Sequence, residues 1–291
     1  RKIFHLVSIS LVILLHSCNS SEADKKQIFI GFSQSIGEGD IWRKSMDHAM
    51  EVEAALHPEV NLTIYITDRN IKKQIQDVDN MIEQGMDVII IAPYESDSIV
   101  PVIEKANQRG IPVIILDRKV NTTNYTAFLG ADNVEVGKIA AKQIVSSSKG
   151  HATVVEIRGE SVTAPGIERS SGFKQILDQY SGINRISINN DDFNSPSSKY
   201  VKILDSLPNI DYVFAFNDII AYNAWNIAKK KKPNNPIKFI GVDGLNGPNG
   251  GLQLVLDGVL DGTVLYPTGG AEAIRLALRI ANKEIVAKNN K

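Results

Sequence analysis

Short, β-branched apolar runs alternate with longer stretches of helical period along almost the whole chain, and that rhythm leaves few folds open. Runs at Ile28–Phe32, Leu62–Thr67, Val88–Ile91, Val113–Leu116 and Ala127–Gly130 predict strands in the first half. Runs at Thr153–Ile157, Arg185–Asn189, Tyr212–Phe216, Phe239–Gly241 and Thr263–Leu265 predict strands in the second. Between them, Ile41–Leu56, Ile71–Gln84, Ile99–Arg109, Val134–Ser147, Ile219–Lys230 and Ala271–Ala281 carry helical spacing. Strands alternating with helices of this length imply βαβ units and parallel sheets. Wholly apolar runs such as Val113–Leu116 suit strands covered on both faces. So many strands exceed one small sheet, and the count points to an α/β protein of two doubly wound parallel-sheet lobes. A change of lobe fits Leu129–Asn133, and a return fits Leu265–Thr268. The first lobe is then 27–130 plus 267–291, and the second 131–266. Gly85, Gly110 and Gly150 sit where left-handed helix C-caps favour glycine, and Asp40 and Asn133 sit at N-cap positions.

A hydrophobic content of 43% with 22% charged residues is ordinary for a globular protein, and a formal net charge of −1 offers nothing to nucleic acid or an anionic membrane. Lys229–Lys232 reads as a solvated helix C-terminus. The N-terminus departs from this picture. Arg1-Lys2, the apolar stretch Ile3–Leu15 and then His16-Ser17-Cys18 read as a secretory signal over residues 1–18, followed by a polar linker over 19–26. The apolar stretch is too short to span a bilayer. Cys18 is the only cysteine, so no internal disulfide forms; its place after Leu-Leu-His-Ser makes it a candidate lipidation site. Either kind of signal puts the mature domain in the periplasm or cell envelope.

The residues directly after each apolar run carry the chemistry. Ile28–Phe32 leads to Ser33-Gln34-Ser35, then Glu38, Asp40, Trp42 and Arg43; Val88–Ile91 leads to Tyr94. Val113–Leu116 ends in Asp117-Arg118, and the strand at 153–157 is followed by Arg158 and Glu168-Arg169. Beyond these stand Asp191-Asp192-Phe193, Asn217-Asp218 and Asp243-Gly244. In open α/β sheets the ligand lies outside the carboxyl ends of the strands. Carboxylates, amides, guanidiniums and aromatics at nearly every strand end of both halves therefore predict a polar cleft between lobes. Hydroxyl-rich ligands need many directed hydrogen bonds, and flat apolar surfaces for their C–H faces, which Trp42, Phe193 and Tyr94 can supply. A catalytic acid/base cleft looks similar, so this pattern alone does not exclude an enzyme.

The ordered motifs Gly31-Phe32-Ser33-Gln34, Trp42-Arg43, Ile91-Ala92-Pro93, Ile111–Arg118, Ala131-Asp132-Asn133, Gly137-Lys138, Glu168–Phe173, Asp192-Phe193, Phe214–Asp218 and Gly241–Gly244 resemble the ribose-type family of periplasmic sugar-binding proteins, and most closely its galactofuranose-binding branch. The resemblance covers roughly residues 27–287. It implies a two-lobed fold, joined by three crossovers, that closes on one monosaccharide. It implies that Asp117, Arg118, Arg169, Asn217 and Asp243 bond sugar hydroxyls, that Phe193 and Trp42 cover sugar faces, and that Arg43 stands beside them. Asp218 is expected to stand behind these groups. Ribose binders carry Asn where this chain has Ala92, Gln where it has Leu265-Tyr266, and Asn-Pro-Phe where it has Gly37–Ile41. These departures argue against ribose itself. The added carboxylates Glu38 and Asp40 point to another pentose or hexose, with furanose forms among the candidates, although Asp40 also suits a helix cap.

Competing readings find less support. Gly31–Ser35 lacks the final glycine of a nucleophile elbow; His5, His16, His48, His57 and His151 show no metal spacing; no phosphate-binding loop is present. No cofactor or metal is expected, and chemical conversion of a sugar is not. A sugar-responsive repressor would need a helix-turn-helix where the export signal lies. Two partners stay open. One is a membrane permease, fed by a free or lipid-anchored binding protein. The other is the chain's own transmembrane kinase module, because Gly39–Lys44 also resembles the sensor domains of hybrid two-component histidine kinases. Arg1 in place of an initiator methionine, and an ending at Lys291 before the family's third crossover, fit a fragment of a longer protein.

Overall fold

The computed structural model describes residues 26–37, 39–159, 164–189, 198–234 and 236–290. The expected export signal with Cys18, and the candidate ligands Glu38 and Phe193, lie outside them. No helix among the described residues is long and apolar enough to cross a membrane.

The first half runs β1 (Ile28–Gln34), α1 (Ile41–Ala55), β2 (Val60–Ile66), α2 (Ile71–Glu83), β3 (Val88–Ala92), α3 (Val100–Gln108), β4 (Val113–Leu116) and β5 (Ala127–Leu129). It continues through α4 (Asn133–Ser148), β6 (Ala152–Arg158), α5 (Ala164–Leu177), β7 (Ile183–Asn189), α6 (Ser198–Ser206), β8 (Tyr212–Ala215) and α7 (Asp218–Lys231). The rest is β9 (Lys238–Asp243), α8 (Gly251–Leu256), β10 (Gly262–Leu265), α9 (Gly270–Ala281) and β11 (Asn289–Asn290).

The strands form two sheets, ordered β11-β5-β4-β3-β1-β2 and β10-β9-β8-β6-β7. Every strand pair is parallel. Leaving out β11, each sheet repeats one order: second strand, first, third, fourth, fifth. That is the doubly wound order whose switch point, between its first and third strands, opens a crevice at their carboxyl ends. In the first lobe the switch lies between β1 and β3, in the second between β6 and β8.

The central strands explain why both sheets are covered. All five residues of β3 and all four of β4 are buried, as a run without polar alternation requires. Each fully buried Ile or Val there contributes about 1.5–3 kcal/mol. The chain leaves the first sheet after β5 and enters α4, which packs on α5 and β10; it returns after β10 into α9, which packs on α1. The short segments 130–132 and 266–269 are thus two crossovers between lobes. Gly85, Gly110 and Gly150 take positive φ of 71°, 72° and 78°.

Three helices escape the periodicity. α8 is only six residues long, too short to show a helical period. The nine residues of α6 bury only Tyr200 and Leu204, and α5 starts at Ala164, ahead of the Glu168-Arg169 pair. β11, a two-residue strand on β5, lies where the sequence shows no apolar run at all.

Candidate functional site

The carboxyl ends of both sheets meet around one cleft. Asp40, Trp42, Arg43, Asp117 and Arg118 line it from the first lobe; Pro165, Arg169, Phe216, Asn217 and Asp243 line it from the second, with Tyr266 at the crossover.

In the first lobe the start of α1 sets the geometry. Asp40 Oδ1 accepts from the Arg43 backbone N–H at 3.0 Å, so the predicted cap forms and also faces the cleft. Trp42 and Arg43 are thereby fixed on the first turn. The Trp42 indole N–H donates to the Tyr266 carbonyl at 2.9 Å, and its ring centroid lies 5.4 Å from that of Tyr266. Arg43 Nη2 donates to Asp117 Oδ2, while Arg43 Nη1 is buried with no acceptor among the described residues. Arg118 Nε lies 3.8 Å from the same carboxylate oxygen, and the Tyr266 hydroxyl donates to Asp117 Oδ1 at 2.7 Å. Burial would push the Asp117 carboxyl up, but the Arg43 and Arg118 charges and the Tyr266 hydroxyl together hold it below the ordinary range.

In the second lobe two glycines bring α4 and α5 together. A Cβ on Gly137 would overlap the Arg169 carbonyl, and one on Gly172 would overlap that of Val134. The close approach lets Arg169 Nε donate to Asn133 Oδ1 at 2.8 Å and Nη1 to the Phe216 carbonyl at 2.7 Å. Its guanidinium lies 4.6 Å from the Phe216 ring centroid and 4.4 Å from that of Tyr266. Asn133 is not the cap of α4. Asp132 is, accepting from the Glu135 N–H at 3.2 Å, which frees Asn133 to hold Arg169. Asn217 does cap α7, accepting from the Ile220 N–H at 2.8 Å, so what it can offer a ligand is its NH2.

Asp243 is electrostatically unlike Asp117. Burial and the neighbouring Asp218 carboxylate push it well above the ordinary range, with Arg169 the cation that opposes them. Asp218 stands behind the cleft, accepting from the Gly244 N–H at 2.8 Å and the Thr263 hydroxyl at 2.7 Å; burial pushes it up to about 6. Asp117 and Asp243 sit on strained backbone, with φ of 66° and 122°. Such outliers gather where a site needs a group held in one place.

The structure thus brings together Asp40, Trp42, Arg43, Asp117, Arg118, Arg169, Asn217 and Asp243. It does not bring in Tyr94, whose N–H donates to Gln74 Oε1 at 2.9 Å away from the cleft lining. Pro165, Phe216 and Tyr266 also line the cleft, although the pattern of strand ends does not mark them as ligand groups. Phe216 could have been found as the aromatic directly before Asn217, and Tyr266 as the polar aromatic at the expected return between lobes.

Arg43, Arg118 and Arg169 face Asp40, Asp117 and Asp243 among the described lining residues, so the cleft suits a ligand rich in both donors and acceptors. No cluster of His, Cys, Asp and Glu among the described residues could hold a metal ion. Two such lobes around one polar cleft define a bilobal ligand-binding protein.

The periplasmic binding protein domain matches residues 30–285, and the chain belongs to that family. The ribose import binding protein of Bacillus subtilis is 30% identical over 247 residues, which cover 84% of this chain and 78% of that protein. The fructose-binding periplasmic domain of a hybrid two-component system superposes with a TM-score of 0.86 at 36% identity, covering 91% of this chain and 88% of that one. A protein from Mycobacterium smegmatis in complex with β-D-fucofuranose superposes with a TM-score of 0.80 at 30% identity, covering 90% and 88%. These relatives are sugar-binding proteins, and this chain is a binding domain of the same family.

Proposed function

We propose that the chain binds one monosaccharide in furanose form, with fructose the first candidate, and works outside the cytoplasm as the sensor domain of a membrane two-component receptor. The lobes, 27–130 with 267–291 and 131–266, close on the sugar. Asp117, Arg118 and Arg43 grip it from one side, Arg169, Asn217 and Asp243 from the other, and Trp42 covers a face. Phe193, Glu38 and the export signal belong to the same reading, whereas Cys18 as a lipidation site belongs to the transport reading below.

The observation that carries the reading is the polar cleft of mixed charge itself. Ionisable side chains from both lobes are buried around one space, and Arg43 Nη1 has no acceptor among the described residues. Buried polar groups are costly without hydrogen bonds, and a neutral polyol supplies donors and acceptors together. The fructose-binding domain and the fucofuranose complex favour a furanose and, in the first case, a sensor. The Bacillus subtilis import protein favours a second reading, in which the closed form is delivered to a permease.

Calorimetry with fructose, ribose, arabinose and galactose tests the ligand. Asp117→Ala and Arg169→Ala are each expected to abolish measurable binding while the protein stays folded. Asp117→Ala leaves Arg43 buried without its carboxylate, and Arg169→Ala leaves the Asn133 amide oxygen and the Phe216 carbonyl without their donor, each at about 1–3 kcal/mol or more. Near-parental affinity in both variants would sink the site assignment. A reading frame that continues past Lys291 into a transmembrane helix and a kinase supports the sensor, and an early stop codon supports transport.

A further inference from the structure

Tyr266 touches the cleft from more sides than any residue marked in the sequence. It follows the last strand of the second lobe and opens the crossover at 266–269. Its N–H donates to the Asp243 carbonyl at 3.1 Å, and its own carbonyl accepts from Trp42 Nε1 at 2.9 Å. Its hydroxyl donates to Asp117 Oδ1 at 2.7 Å and accepts from Asn133 Nδ2 at 3.3 Å. Asn133 in turn holds Arg169, whose guanidinium lies over the Tyr266 ring. The ring is 3% exposed, so water does not compete for these bonds.

A residue on a crossover moves whenever the lobes rotate. A tyrosine has only two side-chain torsions, so anchoring its hydroxyl leaves it little freedom. Here one end is tied to a first-lobe carboxylate and the ring to a second-lobe guanidinium. We propose that Tyr266 is the positioning residue that locks the closed arrangement, holding Asp117 and Arg169 at one separation so that a sugar bound to either lobe meets the other in place. This rests on the sugar-binding reading above and adds the element that couples occupancy to lobe angle. Sugar and phenol favour the same closed population, so each strengthens the other.

The test uses the full chain with Cys18→Ser and spin labels at Lys72→Cys on α2 and Lys199→Cys on α6, both exposed positions. Tyr266→Phe keeps the ring and removes the hydroxyl. The label–label distance distribution is expected to broaden toward longer values. Sugar release, followed by tryptophan fluorescence in a Trp225→Phe background, is expected to quicken about tenfold while association stays within about twofold. An unchanged distribution with an unchanged release rate overturns the proposal, as does a loss of affinity carried by association alone. If Tyr266→Phe does not fold, Asn133→Ala removes the second partner of the hydroxyl; it is expected to quicken release, and a parental release rate there overturns the proposal. If the parent binds none of the sugars tested, the sugar reading falls. The lock is then judged on the unliganded distance distribution, where broadening in Tyr266→Phe supports it and no change overturns it.

Discussion

Asp117 and Asp243 occupy matching places in the two lobes and carry opposite electrostatics. Both stand at the carboxyl end of a parallel strand, both are buried, and both take positive φ. Asp117 meets two guanidiniums and a phenol and is held below the ordinary carboxylate range. Asp243 is crowded by Asp218, opposed by Arg169, and pushed well above it. The first lobe thus has its charge compensated within the protein. The second keeps a carboxylate that gains from hydroxyl donors brought by a ligand. The first lobe's carboxylate is satisfied by folding, the second lobe's by binding.

The sharpest way to break this comparison is to remove each charge in turn. Asp117→Asn leaves Arg43 and Arg118 buried without their carboxylate, and is expected to destabilise the fold by about 3 kcal/mol. Asp243→Asn relieves crowding with Asp218, and is expected to stabilise it by about 1 kcal/mol at pH 7.5. Both variants weaken sugar binding. Urea unfolding of the unliganded proteins measures the two signs, and stability shifts in the same direction would remove the distinction between the lobes.

A pH series sharpens the same contrast. Asp218 and Asp243 titrate higher in the folded protein than in the unfolded chain, Asp218 near 6, so the folded form holds more protons across that window. Their contribution to stability is intact below the unfolded value of about 4 and is lost as pH rises to about 6 and beyond. Asp117 runs the other way: its contribution is present above about 4 and is lost as pH falls through its depressed folded value. The stability gap between the parent and Asp243→Asn should therefore widen from pH 4 to 7. Because sugar hydroxyls favour the carboxylate form, binding near pH 6 should release protons. Calorimetry in buffers of different ionisation enthalpy reads that release, and a buffer-independent heat would contradict it.

Much of the fold and most of the cleft are legible in the sequence because they rest on local rules. Apolar runs without alternation mark strands covered on both faces, and the polar residues that end them mark the cleft. The Asp117-Arg118 pair and Asn217 are visible for that reason. Tyr266 and Phe216 carry no such mark, because their roles depend on how the two lobes meet. Gly137 and Gly172 stand inside recognisable motifs, yet their purpose, a close contact of α4 and α5 that seats Arg169, needs the three-dimensional packing. Asn133 suits a cap in the sequence because Asn and Asp serve equally well there. Only the contact with Arg169 separates its role from that of Asp132.

The smallest effect is expected outside the cleft, where the lobes also touch. Lys119 Nζ lies 2.6 Å from Glu168 Oε1, joining the residue after Arg118 to the residue before Arg169. Its position would make it a latch on the closed form. The Lys119 side chain is 56% exposed, however, and exposed pairs contribute little. Lys119→Ala should weaken sugar affinity about twofold, worth about 0.5 kcal/mol, with unchanged preference among sugars. The difference should vanish in about 0.5 M salt, which screens surface charges but not the buried Asp117 and Arg43 pair. Titrations at low and high salt decide it. A tenfold loss that persists in salt would move the lock on closure from the buried Tyr266 network to the rim, and with it the distinction between a preformed first lobe and a ligand-completed second.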